Sequence, residues 1–325
     1  MTRKQIPIAF SLLFCFVATL SAQNRTNSKE PKIPEPEQVV LETDDKVKLQ
    51  CTYFPPAEKS DGKSQPAVPF ILLHDWDGDR TQLLNFAAYL QQAGRAVIVP
   101  DLRGHGGSIK VAGFDKDLDY KRFRRQEIFS VLKDIERCKR FLVKRNNEGK
   151  VNIDMLTVLA VGETAALATQ WCISDWFAFA ERNADGIKQT KDVKALILIS
   201  PKRKIGRLVV TDLLKNELYA GNVINPLPLI ILWGQNESNA KDAEYIYERA
   251  AKTRPDLSEV ESKEEMEEKK TLYRVRVNES FNGVELLKEQ KVRGLWKYIN
   301  QIIENKVGSK SQDHPWKSRE ATDDN

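Results

Sequence analysis

The sequence is short of the residues that carry most metal and nucleophile chemistry. Its 325 residues include three His (His74, His105, His314), four Cys and three Met. Cys15 lies in an apolar leader, which leaves Cys51, Cys138 and Cys172, an odd number with no Cys-x-x-Cys spacing. At most one bridge could form, and buried thiols are the plainer expectation. No His stands at ligand spacing with a Cys, so neither a metal site nor a cofactor is expected. An excess of one charge is missing as well. Fifty-one Lys and Arg against 46 Asp and Glu leave +5, too small and too evenly mixed for a nucleic-acid partner. No internal repeat is visible, and beyond the leader no stretch is long and apolar enough to cross a bilayer.

The leader itself is distinct. Arg3 and Lys4 precede the apolar run IPIAFSLLFCFVATL, and Ser21-Ala22 follow. Residues 1–22 therefore read as a secretory signal peptide cleaved near Ala22, giving a secreted or periplasmic protein with no stable membrane span. Phe14 before Cys15 is too bulky for a lipoprotein cleavage box. Removing two cations takes the mature chain to 49 minus 46, or +3. Residues 23–38 are rich in Pro, Lys, Glu and Asn and read as a linker. A folded domain is expected over 39–306, and the polar residues 307–325 read as a disordered tail.

Within the domain, apolar periodicity alternates between two kinds. VVLETDDKVKLQCTYF reads as a hairpin turning at Asp44-Asp45. PFILL, AVIVP, LTVLAV, ALILIS and LPLIILWG are short continuous apolar runs, expected of strands buried on both faces of a parallel sheet. Between them lie amphipathic segments, among them TQLLNFAAYLQQAG, with Gly94 as its C-cap, and a helix from about Lys121 to Arg145. LYRVRV alternates like an exposed last strand, and LWKYINQIIENK closes the domain as a helix. Hairpin first, then strand and helix in turn, gives an α/β, doubly wound, mostly parallel eight-stranded sheet. Residues from about 202 to 226 are too few for a large cap domain, so any cleft should be open to a small-molecule ligand.

Several strand ends resemble those of the α/β-hydrolases. PDLRGHGGS, residues 100–108, is similar to the family's Asp-x-Arg-Gly-His-Gly-x-Ser turn. LAVGETAA resembles the strand-helix elbow, LPLIILWGQNES the acid strand, and VNESFNGVELL the histidine loop. The likeness spans roughly 38–306 and, within the family, points to an exported, catalytically degenerate bacterial branch. It implies three triad positions, each held at a strand end. Gly162-Glu163-Thr164-Ala165-Ala166 aligns with Gly-x-Ser-x-Gly and puts Thr164 at the nucleophile. A β-branched residue fits the elbow's positive φ poorly. Glu237 stands at the acid position, where it could equally serve as an N-terminal carboxylate for the helix starting near Lys241, and Asn282 stands at the histidine. Asn cannot accept a proton as a general base near neutral pH. The oxyanion loop reads His74-Asp75-Trp76, with Asp77 and Asp79 behind; three carboxylates at that mouth would oppose a developing oxyanion, and Asp77 or Asp79 is placed to cap the helix beginning near Thr81. The resemblance implies a hydrolase frame without a triad, serving as a binding or structural protein. The alternative is an esterase- or peptidase-like enzyme using Thr164 with His74 as base.

Overall fold

Continuous apolar runs and one alternating hairpin build a single sheet. The computed structural model describes residues 32–57, 66–178, 191–220, 226–288 and 291–319. The expected signal peptide and most of the expected linker lie outside the described residues. Strands β1 (Glu37–Glu42) and β2 (Lys48–Phe54) form the hairpin. Then follow β3 (Pro69–Leu73), β4 (Ala96–Pro100), β5 (Leu156–Val161) and β6 (Val193–Ile199). A small hairpin, β7 (Lys204–Ile205) with β8 (Leu208–Val209), precedes β9 (Leu229–Gly234) and β10 (Leu272–Val277). The eight-stranded sheet runs β1-β2-β4-β3-β5-β6-β9-β10. Within this sheet only the β1–β2 and β2–β4 pairings are antiparallel.

Burial follows position in the sheet. Every residue of β3, β4, β5 and β9 is buried, as a central parallel strand covered on both faces requires. Edge strand β10 buries Tyr273 and Val275 and exposes Arg274 and Arg276. Alternate residues feed opposite cores. Ile71 and Leu73 pack in one and Phe70 and Leu72 in the other.

Helices cover both faces. The chain carries α1 (Leu84–Gln92), α2 (Arg125–Ser130), α3 (Leu132–Asn147), α4 (Thr164–Phe177), α5 (Val210–Leu213), α6 (Ala240–Ala251), α7 (Lys263–Lys269) and α8 (Leu295–Lys306). Ile135, Cys138 and Leu142 of α3 join α4 and α6 on one face, and Phe86 and Leu90 of α1 join Ile299 and Ile303 of α8 on the other. The helix expected from Lys121 is instead a 3-10 turn at Tyr120–Arg122 and two helices, α2 and α3. Asp79 caps the 3-10 turn ahead of α1, accepting from the Thr81 N–H at 2.8 Å, as expected. Among the described residues, the connection from β6 to β9 holds only the small hairpin and α5, so there is no large cap domain. Cys51, Cys138 and Cys172 are buried free thiols. No helix among the described residues is long and apolar enough to cross a membrane.

The expected disordered tail is corrected through Arg319. Trp316 Nε1 donates to the Asn146 carbonyl at 3.0 Å, and Asn152 Nδ2 donates to the His314 carbonyl at 2.7 Å. Buried Arg319 pairs with Asp154 and, at 2.7 Å, with Asp192. Asp192 also meets Lys139 Nζ at 3.0 Å, and Lys139 pairs with Asp175. Two cations and three carboxylates from five parts of the chain hold the tail in place. A buried charge of this kind persists only when paired.

Candidate functional site

From β3 the chain runs to β4 on one side and then crosses to β5, β6 and β9 on the other, so the connections part above the carboxyl ends of β3 and β5. Open α/β sheets form crevices there. Three connections converge on this point: His74-Asp75-Trp76 after β3, Gly162-Glu163-Thr164 after β5, and the loop after β10.

The corner after β5 turns on Gly162, whose φ is +61. Glu163 already has helical backbone (φ −70, ψ −30), and Thr164 is the first residue of α4. The positive φ expected at Thr164 thus falls two residues earlier. Thr164 is fully buried, its hydroxyl 2.8 Å from the Val161 carbonyl and 3.0 Å from the His74 carbonyl. The physical reason is steric. Glycine adopts a left-handed corner without cost, whereas a β-branched residue there is strained.

Asp75 fills the space that a side chain at the corner would need. A Cβ added to Gly162 would overlap the Asp75 carboxylate. Asp75 Oδ1 accepts two backbone N–H groups, from Trp76 at 2.7 Å and from Glu163 at 3.1 Å. One is the residue after the corner and the other belongs to the loop after β3. Two such converging donors form an anion-binding pair. Here a carboxylate of the same chain occupies it.

The loop that carries Asp75 is held on both sides. His74 is fully buried, with Nδ1 2.7 Å from the Asp75 carbonyl and Nε2 accepting the Leu102 N–H at 3.0 Å. Burial lowers its pKa to about 4. Both ring nitrogens are engaged, and Thr164 meets the His74 backbone, so the structure does not bring this imidazole to the Thr164 hydroxyl. The Trp76 ring packs edge-on against His105 at 4.9 Å, and His105 stacks on Tyr120 at 3.9 Å. PDLRGHGGS supports this layer. Asp101 accepts from the Arg80 and Gly107 N–H groups, each at 2.8 Å, and Arg103 pairs with buried Asp134 at 2.7 Å.

Glu237 points inward. Ser200 Oγ donates to Glu237 Oε2 at 2.7 Å and accepts the Gly283 N–H at 2.7 Å. Glu237 Oε1 is buried without a hydrogen-bond partner. Burial raises this carboxyl to about 7, with Ser200 and the Gly234 backbone pulling the other way. Asn282 turns aside, its amide reaching Ser238 Oγ at 3.2 Å. The residue facing the corner from this loop is Gly283, where an added Cβ would lie 3.5 Å from the Val161 side chain and 3.9 Å from Asp75 Oδ2. Above the corner, Lys202 Nζ pairs with Glu163 Oε1 at 3.0 Å.

Sequence reasoning placed Gly162 in the elbow without giving it the corner, and passed over Ser200 and Gly283. Gly162 and Gly283 had a signal, because a glycine at each of these strand-end turns permits positive φ. Ser200 is itself strained, with φ +44, and its signal was a polar residue between a buried strand and Pro201.

No protein-family model matches the chain, and no curated protein matches it. Solved structures do. Esterase 2 of Thermogutta terrifontis, in a form phosphorylated by paraoxon, superposes with a TM-score of 0.54 at 15% identity, covering 87% of this chain and 96% of that one. A structural study of two fungal esterases from Rhizomucor miehei gives 0.52 at 16%, covering 86% of each chain. Dienelactone hydrolase of Anabaena variabilis gives 0.51 at 12%, covering 85% and 98%. Strand order, helices on both faces and these likenesses together give the chain the α/β-hydrolase fold.

Proposed function

We propose that this is an exported α/β-hydrolase-fold protein without triad catalysis, acting as a binding or structural protein. One observation carries the reading. The Asp75 carboxylate lies on the Trp76 and Glu163 N–H groups and occupies the space beside Gly162. In a hydrolase that donor pair receives the negative charge that develops in the transition state, and a fixed carboxylate there opposes it. The other triad positions agree. Asn282 carries no base, Thr164 has no imidazole at its hydroxyl, and Glu237 is bound to Ser200. Export rests on the leader at residues 1–22.

The test is covalent. Esterase 2 of Thermogutta terrifontis is phosphorylated by paraoxon. This protein, exposed to paraoxon or a fluorophosphonate probe, should show no added mass. A stoichiometric adduct on Thr164 or Ser200 would overturn the reading. An adduct on Thr164 that vanished with His74→Ala would establish the hydrolase alternative. For export, the amino terminus of protein recovered outside the cytoplasm should begin near Gln23.

A further inference from the structure

The opposite end of the sheet holds a second feature, independent of the reading above. A cavity of about 920 Å³ lies beneath the amino ends of β6, β9 and β10, within the size range of small-molecule sites. Part of the lining is apolar. Trp176, Leu227 and Leu257 line it, together with Pro226, Pro228 and Pro255, whose fixed φ keeps the run into β9 and the turn after α6 in shape. Another part is charged and mostly basic. It carries Lys191, Lys194, Lys269, Lys306 and Lys310 against Asp256, Glu268 and Asp313, an excess of two positive charges over the acids, with His314 beside them.

Some of these cations already have partners. Lys269 pairs with Glu265 at 2.6 Å, and Lys306 donates to backbone carbonyls of Glu267 and Glu268. Lys194 donates to the Lys191 carbonyl, with Asp154, Asp175 and Asp192 behind it. Lys191 and Lys194 hold their ammonium groups 5.2 and 5.6 Å from the Trp176 ring, so charge and aromatic surface adjoin. His314 is held in the wall through its carbonyl, which accepts from Asn152 Nδ2 at 2.7 Å. Burial and the Lys194 and Lys310 charges push its pKa down, while Asp154 and Asp313 pull it up. The docked tail therefore contributes Lys310, Asp313 and His314 to the lining.

We propose that this cavity binds an organic anion with an apolar body, its carboxylate or phosphate head among Lys194, Lys310 and His314 and its chain or ring against Trp176, Leu227 and Leu257. An anion is favoured here because it meets a partly buried positive field, where attraction is screened less than at an open surface. The apolar body gains by leaving water for a wall already shaped to receive it.

The probe is decanoate below its micelle concentration, followed by calorimetry and by proton NMR of the His ring signals, three in a chain with three His. Saturable binding of one decanoate per chain is expected. Decanol and inorganic phosphate should each bind at least tenfold more weakly, since each supplies only half of the match. The His314 signal, assigned with His314→Gln, should shift, and its pKa should rise on binding. Lys310→Met should weaken decanoate at least tenfold while leaving the thermal midpoint in place. No saturable binding, equal binding of decanol or phosphate, an unmoved His314 signal, or full affinity in Lys310→Met would each overturn the proposal.

Discussion

Glu237→Gln tests how the interior beneath the corner is charged. Glu237 as a residue is 7% exposed, and burial lifts its carboxyl pKa from 4.5 to about 7. Below pH 4.5 the folded and unfolded chains both hold the proton, and the group is neutral to stability. Between 4.5 and 7 the folded chain keeps a proton that the unfolded chain releases, so stability falls as pH rises. Above 7 both states are ionised, and the full cost of a buried carboxylate remains. That cost is at most about 3 kcal/mol for a shift of this size, and less to the extent that solvent screens the carboxylate. Gln resembles the protonated acid and can still accept from Ser200. The variant should match the parent near pH 4.5 and be more stable at pH 8 by up to about 3 kcal/mol. Urea denaturation at the two pH values measures the difference directly. An equal effect at both would show that Glu237 is not held neutral, and the reasoning would fail.

Three further outcomes follow from the same contacts. Thr164→Val keeps shape and burial and removes one buried hydroxyl. It should cost about 1 kcal/mol in denaturant and leave any residual ester hydrolysis unchanged. Arg319→Ala leaves Asp154 and Asp192 in a buried cluster one positive charge short. It should cost about 3 kcal/mol and expose the tail to limited proteolysis. Asp75→Ala strips the acceptor from the Trp76 and Glu163 N–H groups. It should cost about 1–3 kcal/mol, and acetate should recover part of the loss in a thermal melt.

The architecture was readable because burial on both faces leaves a strong mark on a strand. PFILL and LTVLAV could hardly be anything but central, and alternation marked TLYRVRV as the edge. The site was readable in outline only. Spacing of small residues placed the elbow at Gly162-x-Thr164-x-Ala166, yet the pattern fits equally well with its corner two residues earlier. Which residue takes the positive φ depends on where β5 stops: Gly162 N–H still bonds the Ile199 carbonyl of β6, and the chain turns there on its positive φ. The histidine loop slipped in the same way. Asn282 aligned by motif, but the loop's approach to the corner is through Gly283. Asp75 was recognised as a charge in the wrong place for an oxyanion. Its capture by the very N–H groups that would hold that charge is a three-dimensional fact. The tail misled through composition. It is polar, but Trp316 and Arg319 find partners at Asn146, Asp154 and Asp192, more than a hundred residues away in sequence.

A double-mutant cycle at Gly162 and Asp75 tests the central claim most directly. In the parent, Gly162→Ala meets both a left-handed backbone and the Asp75 carboxylate. It should cost about 1–2 kcal/mol for the φ and a further 1–3 kcal/mol for the overlap. In Asp75→Gly the carboxylate is gone, and the same substitution should cost only the first part. A coupling of 1 kcal/mol or more is the predicted result. Costs that add within about 0.5 kcal/mol would mean that Asp75 does not stand at the corner, and the account built on it would be contradicted.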